Sequence, residues 1–201
     1  MRPHAADVSP LVSAIDSDDV LMARFCRGDE SAFDALYDRY AGVVFGFLKS
    51  MLNDQTTAED TLQSTFLSFV RARGRYEAGT SVRGWLFAIA ANAGRDALRR
   101  RKARREEAAD PALADAAGDP LSAPDPGLAR DIEVAFAALP AAEREAIILH
   151  KICGFSFDEI AASLGITTTA AKVRAHRGYQ RLRLLLGETP AVKDRAKEGL
   201  T

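Results

Sequence analysis

The stretch FDEIAASLGITTTAAKVRAHRGYQRLR, residues 157–183, decides how the chain is read. It divides into a short helix with an apolar face, a break at Gly165, and a longer helix that turns basic. Ser156 and Glu159 frame the first helix as a capping box, in which the hydroxyl takes a free backbone amide and the carboxylate returns the bond. Gly165 falls where a turn between two helices commonly needs a left-handed residue. Ile160, Ala161, Leu164 and Ile166 are expected to pack the first helix and the turn. In the second helix Ala171, Ala175, Gly178, Leu182 and Leu185 recur at alternating spacings of four and three, which makes an inward face. The first three of these are very small, so the helix can lie close to its support. The outward face carries Lys172, Val173, His176 and Arg177. Thr168 and Thr169 stand near its start, and Arg174 belongs to the same basic run.

Such a second helix meets base edges in the major groove with its N-terminal part. Arginine and lysine suit guanine edges, hydroxyls suit several bases, and an apolar side chain suits the thymine methyl. Flanking cations hold phosphates and make binding fall with salt. The plainer reading is an amphipathic surface helix with a solvated basic face. The cap, the turn glycine and the basic run together favour DNA.

Outward from this motif, the charge is uneven. The net charge of −1 conceals two basic blocks around an acidic one. Arg95 to Arg105 holds seven basic residues against Asp96, and Lys172 to Arg183 holds five and no acid. Glu106 to Asp125 holds six acids and no base. Residues 106–127, with four prolines and two glycines, read as a flexible linker spanning about 26 Å as a coil and at most about 70 Å extended. The two flanking halves could therefore sit well apart on a common partner.

The rest reads as all-helical, with two helical domains at 16–105 and 128–187 between tails at 1–15 and 188–201. A short helix is expected near Asp18–Arg27. Phe33, Leu36, Tyr37, Tyr40, Val44, Phe47, Leu48 and Met51 mark the buried face of a long helix. A second long helix is expected to start at Thr56, capped through Glu59. It would bury Leu62, Phe66, Phe69 and Val70 and expose Asp60, Gln63, Ser64 and Arg71. After a glycine-containing loop at 73–81, Ser81 caps a helix with Val82, Trp85, Leu86, Ile89 and Ala93 inward. In the second half Ile132, Phe136 and Leu139 form one face. Pro140 suits the first turn of the next helix, which carries Ile147, Ile148 and Ile152.

Several of these strings occur together, in order, in one family. GDESAFDALYDRY, AEDTLQSTFLSFVRAR and RGWLFAIAANAGRDALRRR in the first half, with ALPAAEREAIILH and GFSFDEIAASLGI…AAKVRAHR in the second, resemble bacterial sigma factors of the extracytoplasmic-function group, the smallest of the sigma-70 class. The resemblance covers about residues 18–187. It implies a sigma-2-like bundle and a sigma-4-like helix-turn-helix, no catalytic activity, and binding to core RNA polymerase and promoter DNA. Sigma-4 would read the −35 element through Thr168, Thr169, Lys172, Val173, Arg174, His176 and Arg177. Sigma-2 would open the −10 element. There Tyr76 can stack an unpaired base, worth roughly 1–3 kcal/mol, and Asn92 can pair with a base edge. Arg95, Arg99, Arg100 and Arg101 would hold phosphates. Tyr76 could instead pack as a loop aromatic against the domain, and Trp85 falls on the apolar side. Asp60, Gln63 and Arg71 would dock on the polymerase clamp. An anti-sigma factor, often membrane-bound, is the implied regulator.

Two positions depart from the family: Ala91, where arginine is frequent, and Val173, where many members have serine. The second means that the usual −35 consensus is not to be assumed. In the family the linker passes towards the RNA path, so its acids could mimic nucleic acid.

Other classes find little support. Cys26 and Cys153 have no metal-type pairing and suit a reducing compartment. His150 and Cys153 make an incomplete ligand set, and no cofactor is implied. No stretch approaches the ~20 apolar residues of a membrane span, and the start MRPHAADVSP lacks a signal-peptide core, which suits the cytoplasm. A stand-alone helix-turn-helix regulator is the alternative, but it needs a ligand cavity or phosphoacceptor in the first half, and none is apparent.

Overall fold

A computed structural model describes residues 16–108 and 126–187 of the chain. Among these residues the fold is all-α, with no strand. The helices are α1 (Asp18–Cys26), α2 (Glu30–Leu52), α3 (Gln55–Ala72) and α4 (Val82–Ala108) in the first half. In the second they are α5 (Pro126–Ala138), α6 (Ala141–Ile147), α7 (Phe157–Leu164) and α8 (Thr168–Gly187). A 3₁₀ turn (Arg73–Arg75) follows α3, and a wide π turn (Ile148–Ile152) continues α6.

Short polar residues set the boundaries. Ser17 caps α1, whose first turn carries Asp18 and Asp19 beside the partial positive charge of the helix start. Asp29 caps α2. Its other carboxylate oxygen joins Asp16 in holding Arg24, at 2.9 and 2.6 Å. Helix α2 ends on Asn53 in the left-handed conformation, φ 50°, which asparagine tolerates better than most residues. Asp54 then takes the cap of α3 by accepting from the Thr57 amide at 2.7 Å. The cap expected at Thr56 is corrected by this geometry: the chain turns two residues earlier, and the acid at the turn outcompetes the hydroxyl inside the first helical turn.

The first half packs around an aromatic cluster. Phe25 stacks on Phe69 at 5.8 Å, and Phe69 meets Trp85 at 5.1 Å. Leu36, Tyr40, Val44, Phe47, Leu48 and Met51 of α2 are buried as expected. Tyr37 differs: it is 40% exposed, its ring lying across Phe66 at 4.6 Å.

Helix α4 is buried more widely than the pattern predicts. Besides Val82 and Leu86, it buries Phe87, Ala90 and Ala91. The reason lies across the molecule. Phe87 packs edge-on against Phe47 on one side and Phe155 on the other, at 5.6 and 4.9 Å. The guanidinium of Arg83 lies 4.1 Å over the Phe155 ring and donates to the Cys153 carbonyl. The two halves thus share one apolar core, although the sequence also allowed them to stand apart.

In the second half the capping box at Ser156 and Glu159 is present, and Gly165 takes the left-handed conformation at φ 64°. Ala171, Ala175, Gly178 and Leu182 are buried, whereas Leu185, expected inward, is 37% exposed. Two other expectations are corrected. Ile132 and Ile152 are 38% and 58% exposed: of the face expected at Ile132, Phe136 and Leu139, Leu139 is buried and Phe136 partly so, with Ala135 buried in place of Ile132, and Ile152, at the end of the π turn, faces outward. At the linker, α4 runs on to Ala108 and α5 begins at Pro126. The remainder, with most of the acidic run, lies outside the described residues, as do the tails.

The small face of α8 makes a specific demand. A Cβ on Gly178 would stand 2.5 Å from Ile147 Cδ1 and 3.3 Å from the Glu143 backbone oxygen. Gly178→Ala should therefore lower unfolding free energy in urea by about 1–3 kcal/mol. Gly42→Ala, in an exposed stretch of α2 with nothing near its Cβ, should raise it by up to about 1 kcal/mol. A second expectation concerns the thiols. Cys26 is exposed and should react with an aromatic disulfide reagent in the native protein. Cys153 is buried, its thiol pushed up to about 11 by burial, and should react only on unfolding.

Candidate nucleic-acid interface

Helix α8 presents its cations by simple periodicity. At about 100° per residue, Thr169, Lys172, Val173, His176 and Arg177 share one side of the helix, opposite the Ala171–Ala175–Gly178 stripe. All five are exposed. Val173, at 40%, is an apolar side chain open to solvent among cations. Thr168 is half-buried and donates its hydroxyl to Asp158 at 2.7 Å, tying the start of α8 to α7. Arg174 lies about 200° from Lys172 and is half-buried on the side facing Glu145 of α6. The structure thus brings five of the seven expected −35 residues onto one open face.

The cations of α4 fall into two sets. Arg99 and Arg100 are exposed, and Arg99 pairs with Asp96 one turn back. Arg101 is half-buried and donates to the Leu52 carbonyl at 3.1 Å, capping the end of α2. Arg95 reaches across to the second half. Its Nη1 lies 2.8 Å from Glu145 Oε1, and its Nη2 donates to Asn92 Oδ1. The side chain of Glu145 is 1% exposed. Burial pushes its carboxyl above the ordinary range, and Arg95 beside it pulls the other way.

Tyr76, at the end of the 3₁₀ turn, is half-buried with its ring 5.4 Å from Trp85. Its hydroxyl donates to the Thr80 carbonyl. Burial, and the Asp19 carboxylate near it, push the phenol above its ordinary range. The ring therefore sits on the domain, its alternative placement in the sequence reading, with one side against indole.

Helix α3 carries Asp60, Gln63 and Arg71 exposed on one face. Leu67 stands among them, 56% exposed. The sequence reading missed it, yet the signal was there: Leu67 is in step with Asp60, Gln63 and Arg71 and out of step with Phe66 and Phe69.

His150 stacks on Phe157 at 4.3 Å, and its Nδ1 lies 2.8 Å from the Phe155 carbonyl. No group of three or more metal-type ligands occurs among the described residues, and no described helix is long and apolar enough to cross a membrane.

Comparison with known proteins identifies two family regions in the chain. The family described as Sigma-70 region 2 matches residues 36–104, and that described as Sigma-70, region 4 matches residues 129–182. The RNA polymerase sigma factor CarQ of Myxococcus xanthus is 49% identical over 83% of this chain and 96% of its own length. The sigma factor CnrH of Cupriavidus metallidurans is 30% identical over 85% of this chain and 95% of its own. A solved structure of CnrH in complex with the cytosolic domain of CnrY aligns with a TM-score of 0.68 at 27% identity, covering 87% of this chain and all of that one. RpoE, solved with the anti-sigma factor NepR from Bartonella quintana, shares the fold at 24% identity, with a TM-score of 0.61 over 78% of this chain and 97% of that one. The chain belongs to the sigma-70 family, in its extracytoplasmic-function group, and is a promoter-recognition factor for RNA polymerase.

Proposed function

We propose that the residues described above divide the work of transcription initiation as follows. Helix α8 enters the major groove of the −35 element and reads bases with Thr169, Lys172, Val173, His176 and Arg177. Thr168 positions the start of that helix, and Arg174 serves phosphate or packing at its flank. The observation that carries this reading is the open cationic face of α8, held on a capped helix-turn-helix. Val173 favours contact with a thymine methyl over a hydroxyl-mediated contact.

The −10 element falls to the first domain, residues 16–105. Melted bases need a stacking platform, a polar edge and cations along the backbone. Tyr76 on Trp85 supplies the platform, Asn92 the edge, and Arg95, Arg99 and Arg100 the charge. Arg101 contributes from its place on the end of α2. The face Asp60–Gln63–Leu67–Arg71 docks on the polymerase clamp, with Leu67 as its apolar centre.

The factor acts in the cytoplasm, has no catalytic role of its own, and is held inactive by an anti-sigma factor. Support for that partner comes from the two solved relatives, each in a complex, and from the exposed apolar side chains Val20, Tyr37, Val43 and Leu67 on the first domain. A surface that docks polymerase is the surface an inhibitor covers.

In vitro transcription with core polymerase from the same host tests the division of roles. Lys172→Ala and Arg177→Ala should each cost about 1–3 kcal/mol in promoter binding while core binding stays unchanged. Leu67→Asp should lose core binding itself, and Asn92→Ala should lower open-complex formation with the −35 contact intact. Equal transcription from all four variants contradicts the assignment.

A further inference from the structure

We infer that Asp158 is a specificity-determining residue: its carboxylate, pinned at the start of α8, keeps DNA phosphate off the helix end that addresses the bases. The inference rests on the reading of α8 as the −35 reader given above. Asp158 and Glu159 both stand in the first turn of α7, yet they do different things. Glu159 serves its own helix, accepting from the Ser156 amide at 2.8 Å. The Asp158 side chain bonds outside α7 instead. It accepts the Thr168 hydroxyl at 2.7 Å, ten residues on and in the next helix. Thr168 is the first residue of α8, and Thr167 before it caps that helix by accepting from the Ala170 amide at 3.1 Å. A single hydroxyl thus fixes an exposed carboxylate at the mouth of the recognition helix.

That is an unfavourable place for a negative charge in a protein that binds DNA. Helix α8 carries Lys172, Arg174, Arg177, Arg181 and Arg183 and no acid. Their field draws the backbone of any sequence. The start of the helix adds to it. The first amides of a helix lack helical partners, and the positive end of the dipole lies there. Together these bind phosphate. Unopposed, this end of α8 would take a phosphate as readily as a base edge, and phosphates carry no sequence information.

The carboxylate opposes that contact. It meets the helix end's demand for negative charge from within the protein and repels a second anion. The cations from Arg177 onward remain to hold the backbone, while the start of α8 is left to the bases. Discrimination is a difference between right and wrong DNA. A charge that penalises the wrong contact raises it without adding a contact to the right one.

The test uses holoenzyme assembled from the full chain and host core polymerase. Two labelled promoter fragments share a −10 element, and one has a scrambled −35. Binding is read at several salt concentrations. Asp158→Asn keeps an acceptor for Thr168 and removes the charge, whereas Asp158→Ala removes both. With Asn, affinity for the scrambled fragment should rise roughly two- to fivefold over any change on the promoter, the scale of one charge at an exposed helix end. The slope of log affinity against log salt on that fragment should steepen by up to about 0.9, one phosphate contact. With Ala, the same gain should be joined by a loss on the promoter, because Thr168 loses its anchor. Wild-type discrimination and slope in Asp158→Asn overturn the inference. So does a promoter loss as large with Asn as with Ala and no gain on the scrambled fragment, which marks a base contact or a fold defect. Wild-type holoenzyme that binds both fragments alike would instead strike the reading of α8.

Discussion

A recognition helix can face a DNA groove only if its back lies tight against the body that carries it. In this chain that constraint is met by a stripe of almost no side chain at all. Ala171, Ala175 and Gly178 let α8 settle onto α6, so that Gly178 has no space for even a methyl group beside Ile147 and the Glu143 backbone. The other side of the helix is then free to carry only what DNA requires. The turn glycine and the capping box fix the angle at which α7 delivers the chain into α8. Orientation, support and exposure follow from those few positions.

The same economy appears where the two domains meet. Burial of phenylalanine is worth roughly 1.5–3 kcal/mol per side chain, and Phe87 and Phe155 are both fully buried at the junction. Apolar contact alone would let the domains slide. Arg144 and the Arg95–Glu145 pair are directional: Arg144 donates to the Met51 carbonyl at 2.6 Å, and Arg95 stands 2.8 Å from Glu145. Buried charge is a poor source of net stability but a good source of specificity, because leaving a single partner behind is so costly.

Most of the fold was legible from residue order. Periodicity located every long helix, and the capping box at Ser156 with Gly165 located the turn. The misses arise where tertiary seating or a competing local pattern overrides periodicity. Ile152 and Ile132 are apolar and in register, yet the π turn and the seating of α5 leave them outside. The Asp54 cap was missed because Thr56 offered an equally good pattern two residues on. In the candidate site, the exposed cationic face of α8 could be read directly, since exposure on a two-helix motif is a local property. The fates of Arg95, Arg101 and Tyr76 could not. For Arg95 and Arg101 the partner is distant in sequence, Glu145 and the Leu52 carbonyl; for Tyr76 it is Trp85, nine residues on, a packing the sequence left open beside base stacking. Leu67 was readable and overlooked, being an apolar residue on an otherwise polar stripe.

The central claim is that two separate faces, one on α8 and one on α4 with its preceding loop, grip the two promoter elements in a single polymerase complex. Site-specific photocrosslinking reads this most directly, with a photoreactive amino acid placed at Val173 or at Tyr76 in the assembled holoenzyme on promoter DNA. The account predicts that position 173 crosslinks to double-stranded DNA at the −35 element and position 76 to the melted strand at −10. Crosslinks from both positions to protein alone, or to the same stretch of DNA, would contradict it.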